Sequence, residues 1–459
     1  MDALTSINED DCLEIIAQFP FLNIYTQICF CFPVADESSH SAIVDTLTNG
    51  LERLSEKFPW VAGQLVNEGA SEGNTGTFKI KPLGKIPPLI VKDLRDDPSI
   101  PTMDALSRAK FPMSMLDEKN IAARATIPDR TGDPKPDAAF LVQATFITGG
   151  LLLTFCGQHN IMDMTGQNQV MNLLSKACRN EEFTSEEISI GNLARGNIIP
   201  LLDDPETEVS DYTTKSAPDQ GNSNSKAAQN TPPKCTWASF VFDASSLAAL
   251  KSIAMESLAN PTGYISTDDA ICAFIWKCVT RARLPRLDPR SQSKFSRAVD
   301  VRRYLDIPAT YPGAVQNMAN TTSVLQSLLD APLGYVACQL RSAVDPKTSN
   351  LGFETRALAT LLSRTPDKNS LSHMAATNYS RDIMLSSWAK FNCYDLDFGF
   401  GLGKPEAVQR PLFIPFECLM YLLPKKLNGD MGVVLCLEDG DLERLRADKE
   451  FTEYGAFTG

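Results

Sequence analysis

An α/β protein of two domains is predicted by three observations: the chain length, the interleaving of helix and strand signals, and a single polar interruption near the middle. The 459 residues exceed what one compact core holds and suit two domains of ordinary size. Helical and alternating apolar periods follow one another along the whole chain, the pattern of sheets flanked by helices. From Asp203 to Lys234 the chain is rich in Asp, Ser, Asn, Thr and Pro, with almost nothing to bury, and it reads as a flexible crossover. The division is therefore residues 1–200, a linker over 201–234, and residues 235–459, with no short-period repeat.

Ile43, Val44, Leu47, Leu51, Leu54 and Phe58 recur at helical spacing and Pro59 closes that helix. Ala138 to Phe146, the turn Thr148-Gly149-Gly150 and the run Leu151 to Phe155 read as a β-hairpin, and Val170 to Ala177 continues as a helix. Asp268 to Arg283 is an apolar-rich helix behind a Ser266-Thr267 capping signal. Cys418 to Leu423 and Val433 to Leu437, joined through Asn428-Gly429-Asp430, read as a second hairpin. A charged helix from Asp441 to Lys449 follows.

Composition narrows the partners. Hydrophobic residues make up 43% and charged residues 22%, as in ordinary globular proteins, and the net charge is −13. A nucleic-acid partner needs a broad basic surface, so it is excluded; an anionic small molecule would need a local basic patch. The acidic N-terminus and the short apolar runs predict neither a targeting peptide nor a membrane span, hence a cytoplasmic protein. The 12 cysteines form no C-x-x-C pair, and with 3 histidines a zinc site has few ligands. Buried, reduced cysteines and no metal are expected.

Three motifs invite a chemical reading. Gly69-Ala-Ser-Glu-Gly73 matches the nucleophile-elbow pattern, but Asn74-Thr-Gly-Thr77 and the strand-like Phe78-Lys-Ile-Lys81 follow where a helix is required, so it is read as a loop. Gly399-Phe-Gly-Leu-Gly403-Lys404-Pro405 has neither dinucleotide nor P-loop spacing, which leaves a tight backbone-dense turn. His159-Asn-Ile-Met-Asp163 is a weak pattern alone, and its plain reading is a histidine bonded to its own loop. Its place just after an apolar hairpin strand lets an imidazole project from a rigid edge and take a proton from an alcohol near neutral pH.

His159-x-x-x-Asp163 together with Asp397-Phe-Gly-Phe-Gly401 resembles the paired motifs of the BAHD acyltransferases. Phe58-Pro-Trp-Val-Ala-Gly-Gln-Leu65, Ser266-Thr-Asp-Asp-Ala270 with Phe274-Ile-Trp276, Ala298-Val-Asp-Val-Arg302 with Tyr311-Pro-Gly313, and Ser386-Ser-Trp388 are similar to further segments of that family, in its order. Two departures, Met164 after the motif aspartate and the extra Leu402-Gly403 in the glycine loop, resemble the fungal trichothecene 3-O-acetyltransferase branch.

The resemblance implies two chloramphenicol-acetyltransferase-like domains, each a mixed sheet with flanking helices, and a tunnel between them. It implies a monomer that joins acetyl-CoA, as co-substrate and not as a bound cofactor, to a small-molecule alcohol. The 3-hydroxyl of a trichothecene comes first, and another terpenoid, alkaloid or polyketide alcohol second. A condensation-type relative that binds a carrier protein is the rival of another class; Gln158 stands where such domains favour a second histidine, and an acidic chain suits an acidic carrier poorly. Direct attack on a thioester needs no serine or cysteine nucleophile, so a ternary complex is expected.

By the same resemblance, His159 is the general base. Asp163 supports the site structurally and turns away to pair with Arg302, which is otherwise a cofactor-binding candidate. Trp388 is the candidate oxyanion donor, against the plainer reading of a core aromatic with one satisfied N–H. Ser386 and Ser387 lie near the thioester, Lys404 and Arg303 are candidates for the CoA phosphates, and Asp397, Gly399 and Gly401 shape the cleft wall. The plainer reading of Asp397 is a loop carboxylate capping its own backbone. Exchanging residues 203–234 for a flexible linker of equal length should leave kcat within a small factor, because the segment lacks apolar anchors; a collapse of turnover in a folded variant would place it in the acceptor site.

Overall fold

The computed structural model describes residues 12–35, 39–131, 135–203, 234–258, 264–371 and 377–459; most of the expected 201–234 crossover lies outside them. Two larger sheets organise the chain. In the first, the strands run in the order Ala407–Gln409, Tyr25–Pro33, Gly150–Gln158, Phe140–Ile147, Leu89–Asp93. In the second the order is Gln316–Val324, Gln292–Asp300, Ile383–Ser387, Leu419–Leu422, Met431–Glu438, Cys235–Phe242, Gly455–Phe457. A small sheet of Thr77–Pro82, Gly63–Glu68 and Asp137–Ala138 flanks the first.

The expected hairpin forms through Gly149, whose φ of 77° makes the turn, and Phe140–Ile147 pairs antiparallel with Gly150–Gln158. Every residue of both strands is buried, because the hairpin lies inside the sheet with apolar clusters on both faces. The helix His40–Lys57 buries Ile43, Leu47, Leu51 and Leu54, the stripe that its spacing announces. Thr267–Arg283 starts with a capping box between Ser266 and Asp269. The C-terminal charged helix breaks at Asp448 into Asp439–Ala447 and Lys449–Tyr454, followed by an unforeseen edge strand, Gly455–Phe457. Ser71 sits in an exposed turn between Gly63–Glu68 and Thr77–Pro82, with no helix after it.

The boundary near residue 235 does not separate the sheets. Ala407–Gln409 leaves the second half and pairs with Cys29–Cys31 of the first sheet. Phenylalanines anchor this excursion: Phe398, wholly buried, stacks on Phe155 at 5.5 Å and meets Phe30 edge-on at 5.8 Å. Phe400 meets Phe32 edge-on at 6.0 Å. Gly399, with a φ of 71°, lets the backbone reverse between the two rings, and Gly401, with a φ of 75°, does so just after them. Phe398→Ala should cost about 3–5 kcal/mol of unfolding free energy, measured by denaturant titration; a loss below about 1 kcal/mol would show that the rings do not anchor the loop.

Candidate active site

His159 stands immediately after the strand Gly150–Gln158 and before the helix Met164–Cys178. Buried amides shape this turn. Gln158 Oε1 accepts from the backbone N–H of Asn160 at 2.7 Å, and Asn160 Nδ2 donates to the carbonyls of Ala17 and Phe19. The His159 N–H donates to Ile24 O at 2.9 Å. The side chain is half-buried, and Nδ1 has no hydrogen bond to any neighbouring residue. Burial lowers the His159 pKa, with its own backbone carbonyl and the Asp163 carboxylate opposing. The imidazole is therefore neutral near pH 7. A neutral imidazole carries one N–H and one lone pair, so it can accept a proton.

Asp163 does not face the same way. Its carboxylate caps the helix Met164–Cys178 through Gly166 N at 2.8 Å and accepts from Val315 N at 2.8 Å. It also takes both arms of Arg302, at 2.9 Å and 3.0 Å. Arg302 spends its remaining N–H groups on Tyr311 O, Asp300 Oδ1 and Gly313 O. Burial works against the Arg302 charge, but the Asp163 and Asp300 carboxylates outweigh it and raise its pKa. All five guanidinium donors are thus consumed, which corrects the cofactor-binding alternative for Arg302. The halves interlock here: a Cβ on Gly166 would come within 2.1 Å of Pro312 O, so the residue two beyond Met164 has to be glycine.

A cavity of about 520 Å³ opens beside this pair. Asp163, Met164 and Thr165 line it from the first half, and Ser386, Ser387 and the segment around Arg297–Arg303 from the second. Its wall carries five cations, Arg297, Arg302, Arg303, Arg341 and Lys390, against three carboxylates, Asp163, Asp268 and Asp300, in a chain of net charge −13. Arg297 and Arg341 converge on the buried Asp269 at 2.8 and 2.7 Å. Arg303 and Lys390 are exposed and have no carboxylate partner among the described residues.

Trp388 Nε1 donates to Ser386 Oγ at 3.0 Å, and the indole is 1% exposed against Tyr421. The N–H assigned to an oxyanion is already in use, as the plainer reading of a core aromatic has it, and Ser386 rather than the indole lines the cavity. Ser387 donates to Asp268 at 2.9 Å. Lys404 pairs with Asp395 at 2.9 Å on an exposed loop and does not line the cavity, because Phe398 and Phe400 hold that loop on the first sheet. Asp397 caps its own Gly399 N–H at 2.8 Å, and its carbonyl accepts from Ser175. Asp397, Gly399 and Gly401 do not line the cavity; the Asp397 carboxylate caps its own loop, as its plainer reading has it. Arg297, Arg341, Lys390 and Asp268 were missed in the sequence, since no local spacing unites four distant segments.

A profile described as the Transferase family matches residues 114–452, and one described as the trichothecene 3-O-acetyltransferase-like N-terminal domain matches residues 24–178. This chain belongs to that BAHD-type transferase family. Among curated relatives of this transferase, the O-acetyltransferase dmxR13 of Cryptosporiopsis sp. is 54% identical, covering 100% of each chain. The trichothecene 3-O-acetyltransferase TRI101 of Fusarium sporotrichioides is 49% identical over 97% of each. The crystal structure of F. sporotrichioides TRI101 complexed with coenzyme A and T-2 superposes with a TM-score of 0.90, at 47% identity, covering 98% of this transferase and 99% of that chain. Vinorine synthase, at 16% identity and a TM-score of 0.69, shares the fold.

Asp163→Ala and Arg302→Ala should each cost about 3–5 kcal/mol, because each leaves a buried charge uncompensated, and each should lower activity with stability. The double variant should be less damaging than the sum. Additive losses in a thermal double-mutant cycle would show that the two groups act independently.

Proposed function

We propose that the protein transfers the acetyl group of acetyl-CoA to a hydroxyl of a fungal secondary metabolite, with the 3-hydroxyl of a trichothecene as first candidate. The observation that carries this reading is a His159 that burial holds neutral near pH 7, in the turn that leads to Asp163 at the edge of a basic cavity in an acidic chain. The relative and the crystal structures named for trichothecenes support the acceptor. The 54% identical relative is named only as an O-acetyltransferase, so another fungal alcohol is the second reading.

The chemistry follows from the residues. His159 Nε2 removes the hydroxyl proton as that oxygen attacks the thioester carbonyl. Ser386 O–H, oriented by Trp388 Nε1, donates to the developing oxyanion. The C–S bond breaks and the proton passes from His159 to the CoA sulfur. Arg303 and Lys390 hold the CoA phosphates in place of Lys404. All these groups come from one chain, which supports a monomeric unit. No helix among the described residues is long and apolar enough to cross a membrane, in keeping with a cytoplasmic site of action.

Purified protein with acetyl-CoA and a trichothecene bearing a free 3-hydroxyl should release free thiol and an acetylated product. His159→Ala should lower kcat by about 10²–10⁴-fold while melting normally. Protonation of Nε2 removes the base, so kcat/KM should fall on acidification along a limb below the ordinary histidine value of about 6.5. A loss under about tenfold in His159→Ala would sink the base assignment. Thiol release with a polyketide alcohol and none with the trichothecene would favour the second reading.

A further inference from the structure

Three buried side chains outside the cavity close on the catalytic turn from behind. Arg195 Nη1 donates to Ile161 O at 2.7 Å and to Glu14 Oε1 at 3.3 Å. The Tyr311 hydroxyl donates to the same Glu14 oxygen, and the Tyr311 carbonyl accepts from Arg302 Nε at 2.9 Å. Arg302 in turn grips Asp163. The contacts thus form a ring that leaves the turn at Ile161, crosses both halves of the chain and returns at Asp163. Glu14 is 0% exposed, Tyr311 1% and Arg195 8%, and none of them lines the cavity.

We propose that Glu14, Arg195 and Tyr311 are positioning residues that set the direction of the His159 ring through the backbone of its turn. This rests on the reading of His159 as the base. The energetics of the ion pair favour a positioning role over a stabilising one. Its single contact is 3.3 Å long, and Glu14 Oε2 and Arg195 Nη2 are buried without partners. Such a pair is poor compensation for desolvation, and apolar residues of the same volume would serve stability as well or better. What apolar residues cannot do is hold the Ile161 carbonyl.

Geometry argues likewise. The Arg195 guanidinium lies 4.5 Å over the Trp60 ring, which fixes its plane. A Cβ on Gly313 would stand 1.6 Å from Glu14 Oε1, so the second half closes directly onto the carboxylate. Asn160 is tied to Ala17 and Phe19, Asp163 to Arg302, and the Ile161 and Met162 N–H groups to Gln158 O; the Ile161 carbonyl is the handle through which Arg195 reaches the turn. Burial raises the Glu14 pKa, opposed by Arg195 and the Tyr311 hydroxyl. A base displaced by about 1 Å loses on the order of 10²-fold in rate.

The test compares Arg195→Met, Arg195→Lys, Tyr311→Phe and His159→Ala in full-length protein, with kcat normalised to acetyl-CoA binding sites. In Arg195→Met, kcat should fall at least about tenfold while the KM for acetyl-CoA stays within about twofold, since the misdirected base affects the transition state and not donor binding. Arg195→Lys should regain most of the loss, because an ammonium reaches both Ile161 O and Glu14. An Arg195→Met kcat within about twofold of the parent overturns the proposal, as does an Arg195→Lys protein no better than Arg195→Met. Should Arg195→Met fail to fold, Tyr311→Phe decides: a kcat lowered at least about threefold at unchanged KM supports the ring, and a parental kcat refutes it. Parental turnover in His159→Ala overturns the base assignment itself, a different result from parental turnover confined to the Arg195 and Tyr311 variants.

Discussion

The carboxylate of Asp163 and the guanidinium of Arg302 meet where the halves of the chain touch, and each is nearly withdrawn from water. Two charges in that position are tolerable only when every lone pair and every N–H is used. Asp163 accepts from Gly166 N, Val315 N and both arms of Arg302, and Arg302 has no donor left over. The pair therefore does three things together. It caps the helix behind the motif, pins the strand that begins at Gln316 to the first half, and keeps the motif carboxylate away from the imidazole. With Asp163 so neutralised, burial dominates the His159 titration, which suits a base that has to be uncharged near pH 7.

The charge at the junction differs from that of the chain as a whole. The chain repels anions as a whole, yet one cavity gathers Arg297, Arg303, Arg341 and Lys390 at the junction. Two of these are tied inward to Asp269 and shape the wall; Arg303 and Lys390 are exposed and have no carboxylate partner among the described residues. Beside them, Ser386 and Ser387 carry opposite polarity, because Ser386 accepts from Trp388 while Ser387 donates to Asp268. A tryptophan wholly inside the core thus reaches the cavity wall through a serine.

The glycine loop works mechanically. Its two phenylalanines sit in the first sheet's aromatic cluster, its glycines permit the reversals, and Asp397 caps its own backbone. The loop carries a strand of the second half into the first sheet. Relative motion of the halves would have to break that strand pairing together with the Asp163–Arg302 contacts, so a single ordered site at their junction is the state that the packing favours.

Local pattern was enough for much of this protein. The helix His40–Lys57, both hairpins and the capping of Thr267–Arg283 are written in periodicity and turn residues, whose causes lie within a few residues of each element. The placement of His159 at a strand end was legible for the same reason, and the ordered motifs identified the family. The end of the Gly150–Gln158 strand, the split of the last helix, and the edge strand Gly455–Phe457 were not, because pairing partners far along the chain determine them. Tertiary structure alone decided which cations share a cavity, that Lys404 belongs to Asp395, that the Trp388 N–H is taken, and that Glu14, Arg195 and Tyr311 stand behind the turn that carries His159. Each of these depends on which buried polar groups find one another once the sheets close. That matching is a matter of distance in space, and the spacing of residues along the chain carries no trace of it.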